Sequence, residues 1–84
     1  MLILDQVKKT IVNVDNCTCI VIEPKTNSIK AKGKDGETFY LGTYQTLDDC
    51  KKVLFMILGW YGQSFRTFTM PLGGTVETIK ETIE

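Results

Sequence analysis

The chain contains no histidine and only one arginine, and its longest apolar run is the six-residue stretch VLFMIL at positions 53–58. Without histidine it lacks the side chain that most often transfers protons and binds metal ions near neutral pH. The apolar run is far shorter than the roughly 20 residues that span a bilayer. The start MLILDQVKK has neither the basic stretch nor the cleavable apolar segment of a signal peptide. The sequence therefore predicts a soluble cytoplasmic protein without membrane contact.

Net charge is absent as well, because ten basic residues balance ten acidic ones. A neutral chain has no general attraction for nucleic acids or anionic lipids. The chain has three cysteines, Cys17, Cys19 and Cys50. An odd number suits a reducing compartment better than a disulfide framework. Cys17 and Cys19 on a strand would share one face, where Cys50 could complete a metal triad. No second paired motif supports that site, so we interpret the thiols as small buried apolar groups and predict no metal and no cofactor.

Groups that could perform catalysis are also few. Ser28 and Ser64 have no obvious base, and Asp48 and Asp49 are adjacent residues suited to a helix cap. The glycine pair at positions 73–74 lacks the strand-to-helix context and the following lysine of a phosphate loop. We therefore predict no catalytic residues and no enzymatic activity.

The length and the pattern of apolar residues predict a small α+β domain. A chain of 84 residues supports about one helix laid across one sheet, since it buries only about 60–65% of its unfolded surface. Asp35-Gly36 predicts a tight hairpin between two strands. The predicted strands are residues 10–14, 17–23, 28–34, 37–44 and 65–70. The predicted fold is an antiparallel sheet of about five strands packed against one amphipathic helix, with residues 1–71 as the domain and residues 72–84 as a hinge and short C-terminal helix.

The amphipathic helix is predicted over residues 47–61, with Thr46 as its N-cap and Gly62 ending it as a C′ glycine. At about 100° per residue, one apolar stripe should cover the sheet. The stripe comprises Leu47, Cys50, Val53, Leu54, Ile57 and Tyr61, with Leu58 and Trp60 at its margins. Phe55 and Met56 lie away from this stripe, so we expect them to be exposed as part of a contact surface.

A second, short helix is predicted near the C-terminus, where Thr75 can act as the cap and apolar residues recur at helical spacing. Ten residues are too few for a stable isolated helix, so this one docks on another surface or frays. We predict a partner-binding surface that serves a homodimer or another protein partner. The alternative is that these side chains cover one another within a monomer. The predicted partner-binding residues are Phe55, Met56, Val76, Ile79 and Ile83.

A lysine-rich strand makes nucleic-acid binding an alternative function. In residues 28–34 lysines alternate with small apolar residues, so one face of this strand is basic. Residues 17–54 resemble ethylene-response-factor DNA-binding domains and the arm-binding domains of integrases, through the phrase formed by Leu41, Gly42, Tyr44 and Thr46. The resemblance implies that the outer sheet face enters the major groove of DNA. The corresponding residues here are Lys30, Lys32, Lys34 and Tyr40.

This chain departs from those DNA-binding domains in its basic residues. They contact bases with several arginines and a tryptophan on the sheet, whereas the only arginine here, Arg66, lies outside the three strands. Lysines hold phosphate without choosing a sequence, while arginine makes the commonest specific contact to guanine. An ordinary solvated strand face is the structural alternative for the lysines.

A longer resemblance covers almost the whole chain up to position 71. Its ordered parts are Ile3-Leu4-Asp5-Gln6, a lysine pair, Ile11-Val12-Asn13-Val14-Asp15-Asn16, Asp35-Gly36, Leu41-Gly42-Thr43-Tyr44, a helix and an aromatic strand ending at Met70-Pro71. In this order the chain resembles small proteins without assigned activity that phages, prophages and other mobile elements of Firmicutes encode. The resemblance implies no functional residues.

The function predicted from the sequence is a non-catalytic intracellular interaction protein of phage or mobile-element type that self-associates. A nucleic-acid-binding accessory protein that uses the lysine-rich face is one alternative. A small inhibitor or sponge of a host factor is another, although no residue selects it.

Overall fold

The computed structural model describes residues 1–73, which form two three-stranded sheets and one α-helix. A 3₁₀ turn over Val14–Asn16 connects the first hairpin to the longer strands. The α+β class is confirmed, whereas the prediction of about five strands in a single antiparallel sheet is not matched. The C-terminal helix predicted from residue 75 lies outside the described residues. The elements are β1 (Leu2–Leu4), β2 (Ile11–Asn13), β3 (Cys17–Glu23), β4 (Ser28–Gly33), β5 (Thr38–Thr43), α1 (Leu47–Gly62) and β6 (Thr67–Thr69).

β3, β4 and β5 form an antiparallel meander, as the sequence predicted. The turn between β4 and β5 contains Gly36 at φ 85°, a left-handed conformation that glycine adopts without steric cost. Ile20 pairs with Ala31 and Ile22 pairs with Ile29, which places apolar side chains together on one face of the meander. This inner face packs beneath α1.

β1, β2 and β6 form a second sheet with β1 in its centre, although the sequence predicted no strand at β1. β1 pairs antiparallel with β2 and parallel with β6, where Ile3 lies opposite Phe68. Asp5 closes the β1–β2 hairpin, because its carboxylate accepts hydrogen bonds from the backbone N–H groups of Lys9 (2.8 Å) and Thr10 (3.2 Å). Strands of three residues are too short to show a period of two, so periodicity could not separate this sheet from the meander.

α1 begins at the predicted N-cap and buries the centre of the predicted stripe. The side chain of Thr46 accepts a hydrogen bond from the backbone N–H of Asp49 (3.1 Å), which satisfies one donor of the first turn. Cys50, Val53 and Ile57 are the buried residues of the helix. Their side chains join the core between α1 and the two sheets.

The end of α1 differs from the prediction, because Gly62 is its last helical residue rather than the C′ residue. Ser64 takes the left-handed position instead, with φ 63°. The N–H of Ser64 bonds to the carbonyl of Tyr61 (3.0 Å), and the N–H of Phe65 bonds to the carbonyl of Trp60 (3.1 Å). These two bonds form a Schellman motif with a serine where glycine is usual.

Gln6 and Tyr44 connect the two sheets. The Gln6 amide donates to the carbonyl oxygens of Thr43 (3.0 Å) and Pro71 (3.2 Å) and accepts from the N–H of Thr43 (2.9 Å). The hydroxyl of buried Tyr44 also donates to the Pro71 carbonyl (2.8 Å). A Cβ at Gly42 would lie 3.1 Å from this hydroxyl oxygen and 3.3 Å from the Cβ of Gln6. The Leu-Gly-x-Tyr phrase shared with DNA-binding domains therefore has a structural cause in this chain.

One apolar core lies between α1 and the two sheets, and its largest fully buried side chains come from all three. Every buried side-chain nitrogen or oxygen in residues 1–73 has a hydrogen-bond partner, so the core carries no unsatisfied polar side chain there. Within the same residues, no helix combines the length and apolar character needed to cross a membrane. The largest fully buried side chains are Ile3, Ile29, Leu41, Val53 and Cys50.

Candidate protein docking groove

The outer side of α1 carries apolar side chains that neither sheet covers. Phe55 is 72% exposed, Leu58 is 65% exposed and Tyr61 is 51% exposed, while Leu54 beside them is half-buried. Leu54, Leu58 and Tyr61 are separated by four and three residues, and Phe55 precedes Leu58 by three, so the four side chains form one continuous surface. A continuous exposed apolar surface is typical of contact with another macromolecule.

This surface forms one wall of an open groove of about 450 Å³ between α1 and β3. Ile20 of β3 and Val14 of the preceding turn form the opposite wall. Its lining is almost entirely apolar, whereas small-molecule sites usually add a few polar groups that orient the ligand. The residues of this α1–β3 groove are Val14, Ile20, Lys51, Leu54, Phe55, Ile57, Leu58 and Tyr61.

Charged groups of opposite sign mark the two ends of the α1–β3 groove. Exposed Lys51 lies at the end nearer the start of α1. At the other end, the hydroxyl of Tyr61 donates to the carboxylate of Asp15 (3.4 Å), which also pairs with the N-terminal ammonium group of Met1 (3.5 Å). Because a helix rises about 1.5 Å per residue, the distance along α1 from Lys51 to Tyr61 is about 15 Å. The groove therefore has the length of a helix of about ten residues.

Met56 does not belong to this exposed surface, contrary to the prediction. It is half-buried and packs against the core, as Trp60 does one turn further along α1. The Trp60 ring contacts Phe65 (4.5 Å between ring centroids) and Phe68 of β6 (5.5 Å). The second sheet therefore covers the side of α1 that bears Met56. The sequence predicted one sheet only, and for that reason left this side open.

The structure places Phe55 alone, of the predicted partner-binding residues, in the α1–β3 groove. Val76, Ile79 and Ile83 lie outside the described residues. Leu58 and Tyr61 had been assigned to the buried stripe or its margin, so their exposure was missed. The run of apolar residues at positions 53–58 was the available signal, because it covers more of the helix circumference than one packed face hides.

The lysine-rich face of β4 is partly occupied by its neighbours. Lys30 is half-buried, and its ammonium group lies 3.7 Å from the Glu23 carboxylate and 5.9 Å from the centre of the Tyr40 ring. Lys32 and Lys34 are exposed. The Glu23 carboxylate repels phosphate and weakens the attraction that the lysines exert. This face is therefore a weaker nucleic-acid surface than the alternating lysines alone indicate.

None of the three cysteines, all of which are described, lines the α1–β3 groove. The prediction that the thiols are buried holds for Cys50 alone, since Cys17 is half-buried and Cys19 is exposed. The thiol of Cys50 donates to the carbonyl of Asn27 (3.1 Å). Burial raises the pKa of Cys50, the charge of Asp49 raises it further, and its own backbone N–H opposes both. Burial and the neighbouring Cys19 raise the pKa of Cys17. The thiols of Cys17 and Cys50 therefore stay protonated at neutral pH. In residues 1–73, no group of three or more histidine, cysteine or acidic side chains is placed to hold a metal ion.

No family model, curated protein or solved structure matches this chain. The functional hypothesis therefore depends on the α1–β3 groove and its residues.

Proposed function

We propose that this protein is a non-catalytic interaction protein of mobile-element type that self-associates through the α1–β3 groove. The observation that carries the proposal is the exposed apolar wall formed by Phe55, Leu58 and Tyr61 beside Ile20. Covering such side chains stabilises an assembly by roughly 25 cal/mol per Å² of apolar surface removed from water. The mobile-element type is supported by the order of the sequence motifs alone.

A second copy of the chain fits this groove for electrostatic reasons. The chain has no net charge, so two copies approach without long-range repulsion. Lys51 gives the groove a positive charge at one end, and Asp15, whose charge the N-terminal ammonium group of Met1 partly offsets, lies beside the other end. In a two-fold symmetric pair the same surface meets itself in the opposite direction, which brings unlike ends together. A second copy therefore offers both apolar side chains and charges of either sign to this groove.

The test is the oligomeric state of the purified chain, measured by sedimentation equilibrium over a range of concentrations. The wild type is expected to dimerise, and Phe55→Glu is expected to raise the dimer dissociation constant at least about 10-fold, because an aromatic anchor at the centre of an interface is replaced by a charge. Phe55 is exposed in the monomer, so the variant should unfold at the temperature of the wild-type monomer.

The matched control is Val7→Glu, which adds the same charge at an apolar residue that is 66% exposed in the β1–β2 turn, outside the groove. This control should dimerise like the wild type. A wild type that remains monomeric at every concentration, or a Phe55→Glu variant that associates as strongly as Val7→Glu, contradicts the proposal.

A further inference from the structure

We propose that the element seated in each α1–β3 groove is the C-terminal segment, residues 75–84, of a second copy, so that two chains exchange these segments reciprocally. This deepens, and rests on, the self-association proposed above. The segment TVETIKETIE carries Val76, Ile79 and Ile83 at helical spacing, which gives a helix one apolar edge. Docking of a helix by such an edge into an apolar groove is a common mode of peptide recognition.

The exposed area of the groove alone is too small for a stable dimer. Burying the exposed parts of Phe55, Leu58 and Tyr61 removes roughly 400 Å² per copy, since one complete aromatic side chain buries about 150–250 Å². From both copies together these side chains contribute roughly 800 Å², which is less than the about 1,200 Å² of total surface at which stable specific interfaces begin. In a reciprocal exchange each groove is covered by a segment, so the interface consists of two groove–segment contacts and includes the apolar surfaces of both segments. The exchange therefore supplies the area that the groove lacks.

The length of the segment matches the groove. Ten residues in a helix extend about 15 Å, the distance from Lys51 to Tyr61 along α1. An isolated helix of ten residues is not stable in water, so the segment needs a surface on which to fold. The α1–β3 groove supplies an apolar surface of that length.

Charge determines the direction in which the segment docks. Two of its three glutamates, Glu81 and Glu84, lie at its C-terminal end beyond Lys80, while the partial positive charge at the start of a helix opposes the third, Glu77. Antiparallel to α1, the segment places Glu81 and Glu84 at Lys51 and its helix start at Asp15. In the parallel direction, Glu81 and Glu84 would lie at Asp15, and the positive helix start would lie at Lys51. The antiparallel direction is therefore favoured.

This direction requires the segment of another copy. The described chain ends at Gly73, which lies against the carbonyl of Thr43 at the end of β5. This point is near the start of α1, so a segment of the same chain would enter the groove at Lys51 and run parallel to α1. β5 and β3 are also on opposite edges of the meander, about 10 Å apart, whereas the two steps from residue 73 to residue 75 span about 7 Å.

The test combines one groove variant and one segment variant in the full chain. Phe55→Glu places a charge in the groove and leaves the segment intact. Ile79→Glu places a charge on the apolar edge of the segment and leaves the groove intact. Each variant alone is expected to dimerise at least about 10-fold more weakly than the wild type. An equimolar mixture is expected to form heterodimers more readily than either variant forms homodimers, because one intact groove meets one intact segment. Thr78→Glu is the matched control, since it adds the same charge away from the apolar edge and should dimerise like the wild type.

Cross-linking with a carbodiimide gives the second measurement on a mixture of isotopically light and heavy wild-type chains. Cross-links from Lys51 to Glu81 or Glu84 that join a light peptide to a heavy one support the exchange. Cross-links confined to chains of one isotope show docking within a chain and overturn it. If Ile79→Glu dimerises like the wild type while Phe55→Glu does not, the exchange is overturned and the proposed self-association stands. If the wild type is monomeric, the proposed function itself fails.

Discussion

At the scale of single residues, the hydroxyl of Tyr44 shows how burial connects stability to pH. It donates to the carbonyl of Pro71 beneath α1 and is buried. Burial raises the pKa of Tyr44 well above its ordinary value near 10, and neighbouring Cys50 raises it further. The folded chain therefore keeps this proton to a higher pH than the unfolded chain. The resulting stability is fully present below about pH 10 and is lost as the pH rises toward the folded pKa.

Removing this hydroxyl should change both the stability of the fold and its dependence on pH. Tyr44→Phe is expected to lower the free energy of unfolding at pH 8 by about 0.5–1.5 kcal/mol, because one buried hydrogen bond is lost. Between about pH 10 and pH 12, the wild type should lose more stability than the variant, so the two curves approach each other. Urea unfolding at each pH measures both effects. Tyr40→Phe, at an exposed tyrosine, is the control and should follow the wild type. If the free energy of unfolding of Tyr44→Phe stays parallel to that of the wild type across this pH range, the Tyr44 hydroxyl is not the group that titrates.

At the scale of the elements, the meander and α1 could be predicted because their signals are local. Asp35-Gly36 determines one turn, alternation identifies β4, and Thr46 marks the start of the helix. The end of α1 was predicted less well, since a glycine at position 62 looks like a helix terminator on sequence alone. The helix extends one residue further than predicted, through Gly62, and Ser64 takes the left-handed conformation.

The Schellman motif at Ser64 gives a stabilising substitution. Ser64→Gly is expected to raise the free energy of unfolding by about 0.5–1 kcal/mol, because glycine adopts the left-handed conformation without the steric cost that a Cβ imposes. The greater conformational entropy of glycine in the unfolded chain offsets part of this gain. Thermal unfolding should show this as an increase of several degrees. Ser64→Ala is the matched control and should bring no gain. Equal stability of the alanine and glycine variants would mean that the φ angle is not the cause.

At the scale of the whole molecule, the sequence did not predict how α1 is covered. β1 and β6 are distant in the chain and only three residues long, and their parallel pairing leaves no local signal. Their sheet covers the side of α1 that bears Met56 and leaves Leu58 and Tyr61 exposed. The exposure of Phe55 was predicted correctly, because Phe55 lies off the stripe of α1 that packs on the sheets. The exposure of Leu58 and Tyr61 was not predicted, because it depends on the long-range pairing of β1 with β6.

The bonds of Gln6 hold the two sheets together, so its loss should weaken the entire fold. Gln6→Ala is expected to lower the free energy of unfolding by about 1–2 kcal/mol, because it removes bonds to Thr43 and to the Pro71 carbonyl. The backbone amide of Thr43, which donates to the Gln6 side chain, should exchange its hydrogen faster in this variant. Exposed Gln45→Ala should change stability by less than about 0.5 kcal/mol. Protection of the Thr43 amide that is unchanged in Gln6→Ala would show that the bond is not formed in solution.

The central position of β1 has a consequence for the order in which the protein is made. Its antiparallel neighbour β2 leaves the ribosome early, but its parallel neighbour β6 is synthesised only after α1 is complete. The meander can form from nascent chain alone, whereas one edge of β1 stays open until residues 67–69 emerge. Of the described strands, β1 is thus translated before the others and is among the last to be enclosed. A chain truncated before β6 would expose an unsatisfied strand edge that invites aggregation.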